Sequence, residues 1–359
     1  MANALDYIFW RGDLSFTVSP LNEVDLFLFT QLSMPDYADI FKRKEAVTLK
    51  ELAARYFESH SEAVSNLGLL QSALVLPALK AAGEAPRYRD LIVREYVNKI
   101  KTEQGEQFSA ITIEKPKKFC CVIFRGTDDT IIGWKEDFEM AAKEQVAAQQ
   151  DARKYLTIAI GNTEAPKIYV CGHSKGGNLA VYSAVNVARK IQDRISMAIS
   201  FDGPGFRDEF FETKGYAAME KRLVSVLSEN AFIGLLLRHA GKQYIVKTAA
   251  KGANAHDGFT WEVLGTKFVK KAKLSSASLK FNAGMDEALS RMNEEERLTF
   301  IDGVFELLFS TGAMTLTELS RQSLKTKADL ILRISQDKTV TSYMKLIIES
   351  ILLAKPAGE

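Results

Sequence analysis

The stretch Gly172-His173-Ser174-Lys175-Gly176-Gly177-Asn178-Leu179-Ala180 decides how this chain folds. Its first five residues fit G-x-S-x-G, a sharp turn from strand into helix that lifts a serine hydroxyl clear of the backbone. Glycine at both ends leaves room for crossing chains and tolerates backbone angles that other residues avoid. Alone, the pattern arises by chance in roughly one chain in eight of this length, so its flanks decide. Upstream, Lys167–Cys171 is a short apolar run of β-formers, as a buried parallel strand requires. Downstream, Asn178–Lys190 places apolar side chains at helical spacing, starting with small residues that allow close helix–sheet contact. Strand, turn and helix fall in order, which favours this nucleophile elbow over a plain glycine-rich turn.

A serine hydroxyl is a weak nucleophile until a base takes its proton and an acid orients that base. On this elbow the chain order is Ser, then Asp or Glu, then His. The sequence holds four histidines. His60 precedes the elbow, and His173 sits on the turn itself, where its ring should point elsewhere. His239 falls at a helix end or turn. His256, in the polar loop Lys251–Asp257 after the last expected strand, is the expected base. Two acids compete. Asp202 follows the strand Ile195–Phe201 in the segment FDGPGF, and Glu229 follows the next strand in Ser228-Glu229-Asn230. Asp202 is placed ahead because its Gly-Pro-Gly turn holds a carboxylate rigidly; otherwise it is a turn-capping residue. An oxyanion site needs two backbone N–H groups aimed at developing charge. The amide of Lys175, after the nucleophile, is one candidate; the amide of Thr127, in Phe124-Arg125-Gly126-Thr127 at the end of an early strand, is the other.

The remaining chain is ordinary globular sequence: 359 residues, 47% hydrophobic and 26% charged, with a formal net charge of +2. That balance argues against general nucleic-acid binding, and the basic run Lys267–Lys273 reads as a solvated face. Cys120, Cys121 and Cys171 all lie in expected core strands, which suits buried free thiols in a reducing compartment. With no signal-peptide pattern and no long apolar run, a cytoplasmic protein without a membrane span is expected. There is no metal-ligand spacing and no nucleotide-binding loop, so no cofactor is expected.

Strand–helix alternation begins near Tyr88. It includes Phe108–Ile113, Phe119–Phe124, Lys167–Cys171, Ile195–Phe201, Arg222–Leu227 and Gln243–Lys247, and it implies a mostly parallel sheet covered by helices. This is the α/β class, with a mostly helical N-terminal extension over residues 1–85, a core over 86–274, and a helical cap or docking region over 275–359. In the first part, Thr48 and Glu51 form a capping-box pattern. In the last, helices are expected at 285–292, 294–309, 315–322 and, as one long segment, 325–353.

FRGTDDTIIGWKEDF (Phe124–Phe138) followed by GHSKGGNLA resembles the class 3 lipases. More closely, the chain resembles the Mbeg-like family of bacterial lipase-related proteins. That likeness runs through LDYIFWRGDL, EQFSAITIE, RGTDDTIIGWKED, GHSKGGNLA, FDGPGF, IGLLL and AHDGFTWEV. The resemblance implies an α/β-hydrolase core, Ser174 as nucleophile, His256 as base and Thr127 as oxyanion residue. It departs in two places. Lys175 stands where lipases carry leucine, either to meet an anionic substrate or, the favoured alternative, to pair with Glu136 or Asp137. The usual acid segment reads SENAFIG without Asp, which leaves the acid open between Asp202 and Glu229. The expected function is a serine hydrolase of carboxylic esters, lipid-like acyl esters included, with peripheral lipid contact; the alternative is a non-catalytic binding or scaffold protein on the same fold.

Overall fold

The computed structural model describes residues 1–42, 44–60 and 67–354. Nine strands form one mixed sheet in the order β1-β2-β3-β4-β5-β6-β7-β8-β11. These are β1 (Ala46–Thr48), β2 (Ile92–Lys101), β3 (Glu106–Lys115), β4 (Phe119–Phe124), β5 (Ile168–His173), β6 (Ile195–Phe201), β7 (Leu223–Ser228), β8 (Lys242–Val246) and β11 (Lys270–Lys271). The short β9 (Val263–Leu264) and β10 (Lys267–Phe268) pair with each other. Strands β4 to β8 are parallel, whereas β1 to β4 pair antiparallel and β11 runs antiparallel to β8. The expected α/β-hydrolase-like fold is what the chain adopts. The expected basic face at Lys267–Lys273 is two short strands with Phe268 buried between exposed lysines.

Sequential order has a strong consequence. Right-handed crossovers that always advance in one direction lay their helices on one face of the sheet. Accordingly α6 (Ala147–Gly161), α7 (Lys175–Asn186) and α10 (Lys214–Met219) pack with Cys120, Val122, Phe124, Val170 and Ala198. The alternate residues of the same strands, Cys121, Ile123, Cys171 and Ile199, point to the other face. That face is covered from the N-terminal side, by α1 (Ala4–Arg11), α2 (Glu23–Leu32), α3 (Leu49–Ser59) and α4 (Val75–Glu84). Every residue of β4 is buried because both of its faces are covered.

The N-terminal helices are sharply begun. Asn3 with Asp6, and Asn22 with Asp25, make capping boxes at α1 and α2, while Thr48 accepts the Glu51 amide at α3. Asp25 has a second task. Its fully buried carboxylate receives Arg87 Nη2 at 2.5 Å and Nε at 2.9 Å and the Tyr88 hydroxyl at 2.8 Å. Arg87 also donates to the carbonyls of Leu14, Ser19 and Pro20 and stacks 4.0 Å from the Phe16 ring centre. One buried ion pair therefore ties α1, α2 and the loop between them to the segment that leads into β2.

Between the strands lie α5 (Ile131–Glu139) and two short helices, α8 (Arg189–Gln192) and α9 (Asp208–Phe211). The C-terminal region is helical: α11 (Ser276–Ser290), α12 (Glu294–Phe309), α13 (Leu316–Arg321), α14 (Leu324–Gln336) and α15 (Lys338–Leu353). The single long helix expected from 325 onward is two, because the Asp337 side chain caps α15 by accepting the Val340 amide. Helix α12 docks on α5 through Phe305 and Phe138, with ring centres 5.7 Å apart. Among the described residues no helix is long and apolar enough to cross a membrane.

Candidate active site

Ser174 stands between β5 and α7 with φ 58° and ψ −133°. A non-glycine residue rarely holds a positive φ, at a cost of about 1–3 kcal/mol, and such strain persists only where the surroundings enforce it. Here they do. The Ser174 amide donates to the Phe201 carbonyl at the end of β6, and a Cβ on Gly176 would lie 2.1 Å from the Phe124 carbonyl oxygen. Gly126 packs on the same turn: a Cβ there would sit 2.9 Å from the His173 carbonyl oxygen and 3.4 Å from Ser174 Cβ. The turn after β4 thus lies directly against the turn after β5. Among the described residues, neither the Thr127 nor the Lys175 amide has a protein acceptor.

His256 and Asp202 meet. His256 Nδ1 is 2.8 Å from Asp202 Oδ2, and the Asp202 side chain is wholly buried. Its other oxygen accepts the Ser228 amide at 3.2 Å. Asp202 itself has φ 50°, held by its amide bond to the Val226 carbonyl. Glu229 is elsewhere: it accepts the Thr248 amide at 3.0 Å and pairs with Lys271 at 3.2 Å. Of the two acids expected from sequence, Asp202 is the one that touches the histidine. Asp257 caps the Phe259 amide, and burial pushes its carboxyl up.

The loop carrying His256 is pinned from three sides. Trp261, fully buried, donates Nε1–H to the Ala255 carbonyl at 3.0 Å. His173 Nε2 bonds the His256 carbonyl at 2.8 Å, with the two imidazoles 4.7 Å apart. Burial, and then the neighbouring His256, push the His173 pKa down to about 3, so the ring is neutral and donates this bond. Beneath them Phe27 of α2 meets His173, Phe201, Phe259, Trp261 and Phe268 at ring separations of 5.3–6.0 Å. A residue of the N-terminal helices is therefore the floor of the histidine loop.

Lys175 is turned into the protein. Its ammonium lies 2.6 Å from Glu136 Oε2, 3.2 Å from Gln107 Oε1 and 3.7 Å from Asp137 Oδ1. Of the alternatives read from the sequence, pairing with carboxylates is the one that the geometry matches. The Thr127 hydroxyl donates to Asp137 Oδ2 and is thereby committed within the fold. Burial raises the Asp137 carboxyl to about 6 against the lowering pull of Lys175.

Ser174, His256 and Thr127 line one cavity of about 450 Å³. Its other walls include Gln31, Met34, Trp134, Ile233 and the segment Leu69–Ser72. Sequence reasoning missed Gln31, Met34 and Leu69–Ser72, since nothing local marks a chain that returns across a distant site. Only Ile233 of the apolar run 232–237 reaches the cavity, and among the described residues none after Thr260 does so. Gln71 Nε2 donates to the Thr127 carbonyl, and Asp129 Oδ1 accepts the Leu69 amide. His60 stacks on Tyr56, and His239 lines a different hollow. Among the described residues no group of three or more His, Cys, Asp or Glu is placed to hold a metal.

Among solved structures, the chain is similar to the M37 lipase, at 15% identity and a TM-score of 0.33 over 59% of this chain and 69% of that one. It is also similar to a mutant form of MDLA from Penicillium cyclopium, at 13% identity and 0.36 over 62% and 83%. No curated protein matches. The Mbeg1-like family model aligns with residues 82–306, well over half the chain and inclusive of the strand-turn-helix at Ser174, Asp202 and the His256 loop; the chain belongs to the Mbeg1-like family.

Proposed function

We propose that this protein is a serine hydrolase of carboxylic esters, with Ser174 as nucleophile, His256 as general base and acid, and Asp202 as the residue that orients the histidine. The observation that carries the reading is the 2.8 Å contact from His256 Nδ1 to buried Asp202, with Ser174 on a strained turn in the same cavity. Asp202 fixes the tautomer with the proton on Nδ1, which leaves Nε2 free to accept the Ser174 proton.

Ser174 Oγ attacks the ester carbonyl while His256 takes its proton, and the carbonyl π electrons move onto oxygen. The amides of Thr127 and Lys175 receive that oxyanion; the Thr127 hydroxyl, bonded to Asp137, holds the residue in place. Collapse breaks the bond to the alcohol oxygen, which leaves with the proton from His256. Water, deprotonated by His256, then attacks the acyl-serine and the acid departs, restoring Ser174. The exposed Leu69 and Leu70 at the cavity, with Met34, Trp134 and Ile233 in its walls, support an ester with an apolar acyl part.

A fluorophosphonate probe tests this directly. Wild type should label at one site, and Ser174→Ala and His256→Ala should each abolish labelling while keeping the native circular dichroism spectrum. A folded wild type that resists the probe, and that hydrolyses no ester, favours the scaffold alternative.

A further inference from the structure

The turn after β4 carries Thr127, and it is fastened from two distant parts of the chain. From the C-terminal side, the Leu316 amide of α13 donates to the Asp129 carbonyl at 2.9 Å, and the Thr317 amide donates to Asp129 Oδ2 at 3.0 Å. From the N-terminal side comes the segment Gly68–Ser72, which leads into α4. It lies directly on Asp129: the Leu69 amide donates to Asp129 Oδ1 at 2.9 Å, and a Cβ on Gly68 would fall 2.6 Å from Asp129 Cβ. The segment then turns. The Gln71 amide donates to the Gly68 carbonyl, and the Ser72 hydroxyl oxygen accepts the Leu74 amide. That turn delivers Gln71 Nε2 to the Thr127 carbonyl at 2.8 Å.

Resting on the serine-esterase reading, we propose that Gln71 is a positioning residue for the oxyanion site, acting through Thr127. The residue before Thr127 is Gly126, and a glycine does little to fix the peptide plane that carries the Thr127 amide. The aim of that amide must then come from the other groups of Thr127. Its hydroxyl is held by Asp137 and its carbonyl by Gln71. The bonds from α13 reach Asp129, two residues further on, and leave Thr127 itself to these two partners. A donor stabilises a developing oxyanion only if it is already set when the charge appears. Gln71 also falls before residue 82, where the family model begins, so the N-terminal region supplies this part of the setting.

The test uses the full chain with Gln71→Met and Gln71→Glu. Gln71 is half-buried at the cavity, so both variants should keep the native circular dichroism spectrum, and neither new side chain donates a hydrogen bond at neutral pH. Hydrolysis of p-nitrophenyl butyrate gives kcat and KM. A trifluoromethyl ketone, whose hemiketal oxygen takes the place of the oxyanion, gives an inhibition constant. Each variant should lower kcat by about ten- to a hundredfold, leave KM within about threefold, and weaken the ketone by a factor close to the loss in kcat. Unchanged kcat or unchanged ketone binding overturns the assignment, because the amide is then aimed without Gln71. A rise in KM alone overturns it too, since Gln71 would then only touch the substrate. Should wild type hydrolyse no ester, the esterase reading fails by itself. Gln71 is then judged by the ¹⁵N order parameter of the Thr127 amide: a fall in both variants supports the positioning role, and no change rejects it.

Discussion

Lys175 Nζ lies 2.6 Å from Glu136 Oε2, with both side chains shut off from solvent, so the cation next to Ser174 is neutralised inside the fold. Glu136 also accepts the amides of Gln107 and Ala148, which makes it the link between β3, α5 and α6. Removing one partner of such a buried pair costs about 3–5 kcal/mol, because the other charge is stranded. Lys175→Met should therefore lose that much stability to urea, and adding Glu136→Gln should restore more than about 1 kcal/mol of it. A single variant that loses less than about 1 kcal/mol would show that the pair does not bind the elbow to α5.

The contact between Asp202 and His256, against the separate bonds of Glu229, sets up a direct comparison. Asp202→Asn should lower ester turnover by roughly 10³–10⁴, as loss of the orienting acid does when geometry survives. Glu229→Gln should cost less than about tenfold, since that side chain bonds the Thr248 amide and Lys271 and not His256. Equal losses in the two variants would remove the ground for assigning the acid.

Two half-buried groups beside the site pull acid stability in opposite directions. The His173 pKa is depressed to about 3 by burial, so its contribution is complete above the unfolded value near 6.5 and is lost as pH falls. Between pH 7.5 and 5 that loss is about 2 kcal/mol. Asp137 is raised to about 6, so its contribution is complete below the unfolded value near 3.9 and is lost as pH rises through 6. Over the same interval it returns about 1 kcal/mol on acidification. Urea melts should then show His173→Gln with the flatter acid limb and Asp137→Asn with the steeper one. Parallel curves for all three proteins would refute both assignments.

The Asp25–Arg87 pair should be the most sensitive point of the N-terminal region. Arg87→Met strands a carboxylate with no solvent contact and frees three backbone carbonyls, for a loss of about 3–5 kcal/mol. Chemical denaturation measures it. A loss below about 1 kcal/mol would mean that α1 and α2 are held by their apolar contacts alone.

Truncation to residues 82–359, starting where the family model starts, removes β1 and α1 to α4 apart from the last turn of α4. It bares the sheet face that carries Cys121, Ile123, Cys171 and Ile199. This shortened chain should be recovered only as aggregate, since an apolar face of that extent is not left in water. Soluble, cooperatively melting material would show that the face can be satisfied without the N-terminal helices.

The parts of this fold that are local were readable. The elbow at Ser174 is written within nine residues, and β4 to β7 announce themselves as apolar runs because burial of most of their residues leaves little polar alternation. The ten-residue β2 is not among the expected strands, since IVREYVNKIK carries charges along a sheet margin and is only half-buried. The acid at Asp202 could be ranked but not settled, as its contact with His256 joins residues 54 positions apart. Least legible was the N-terminal side. Phe27 looks like any helix residue, and only the packed sheet reveals that it supports the histidine loop. The break at Asp337 did have a local sign, an aspartate immediately before a helical run, which the apolar periodicity on either side concealed.

The N-terminal helices and the loop after β8 form one packed unit. Phe27 of α2 meets Phe259 and Trp261, and Trp261 holds the Ala255 carbonyl beside His256. A change of side chain on α2 is thus transmitted to that loop through two rings, so these two distant segments of the chain are bound to vary together.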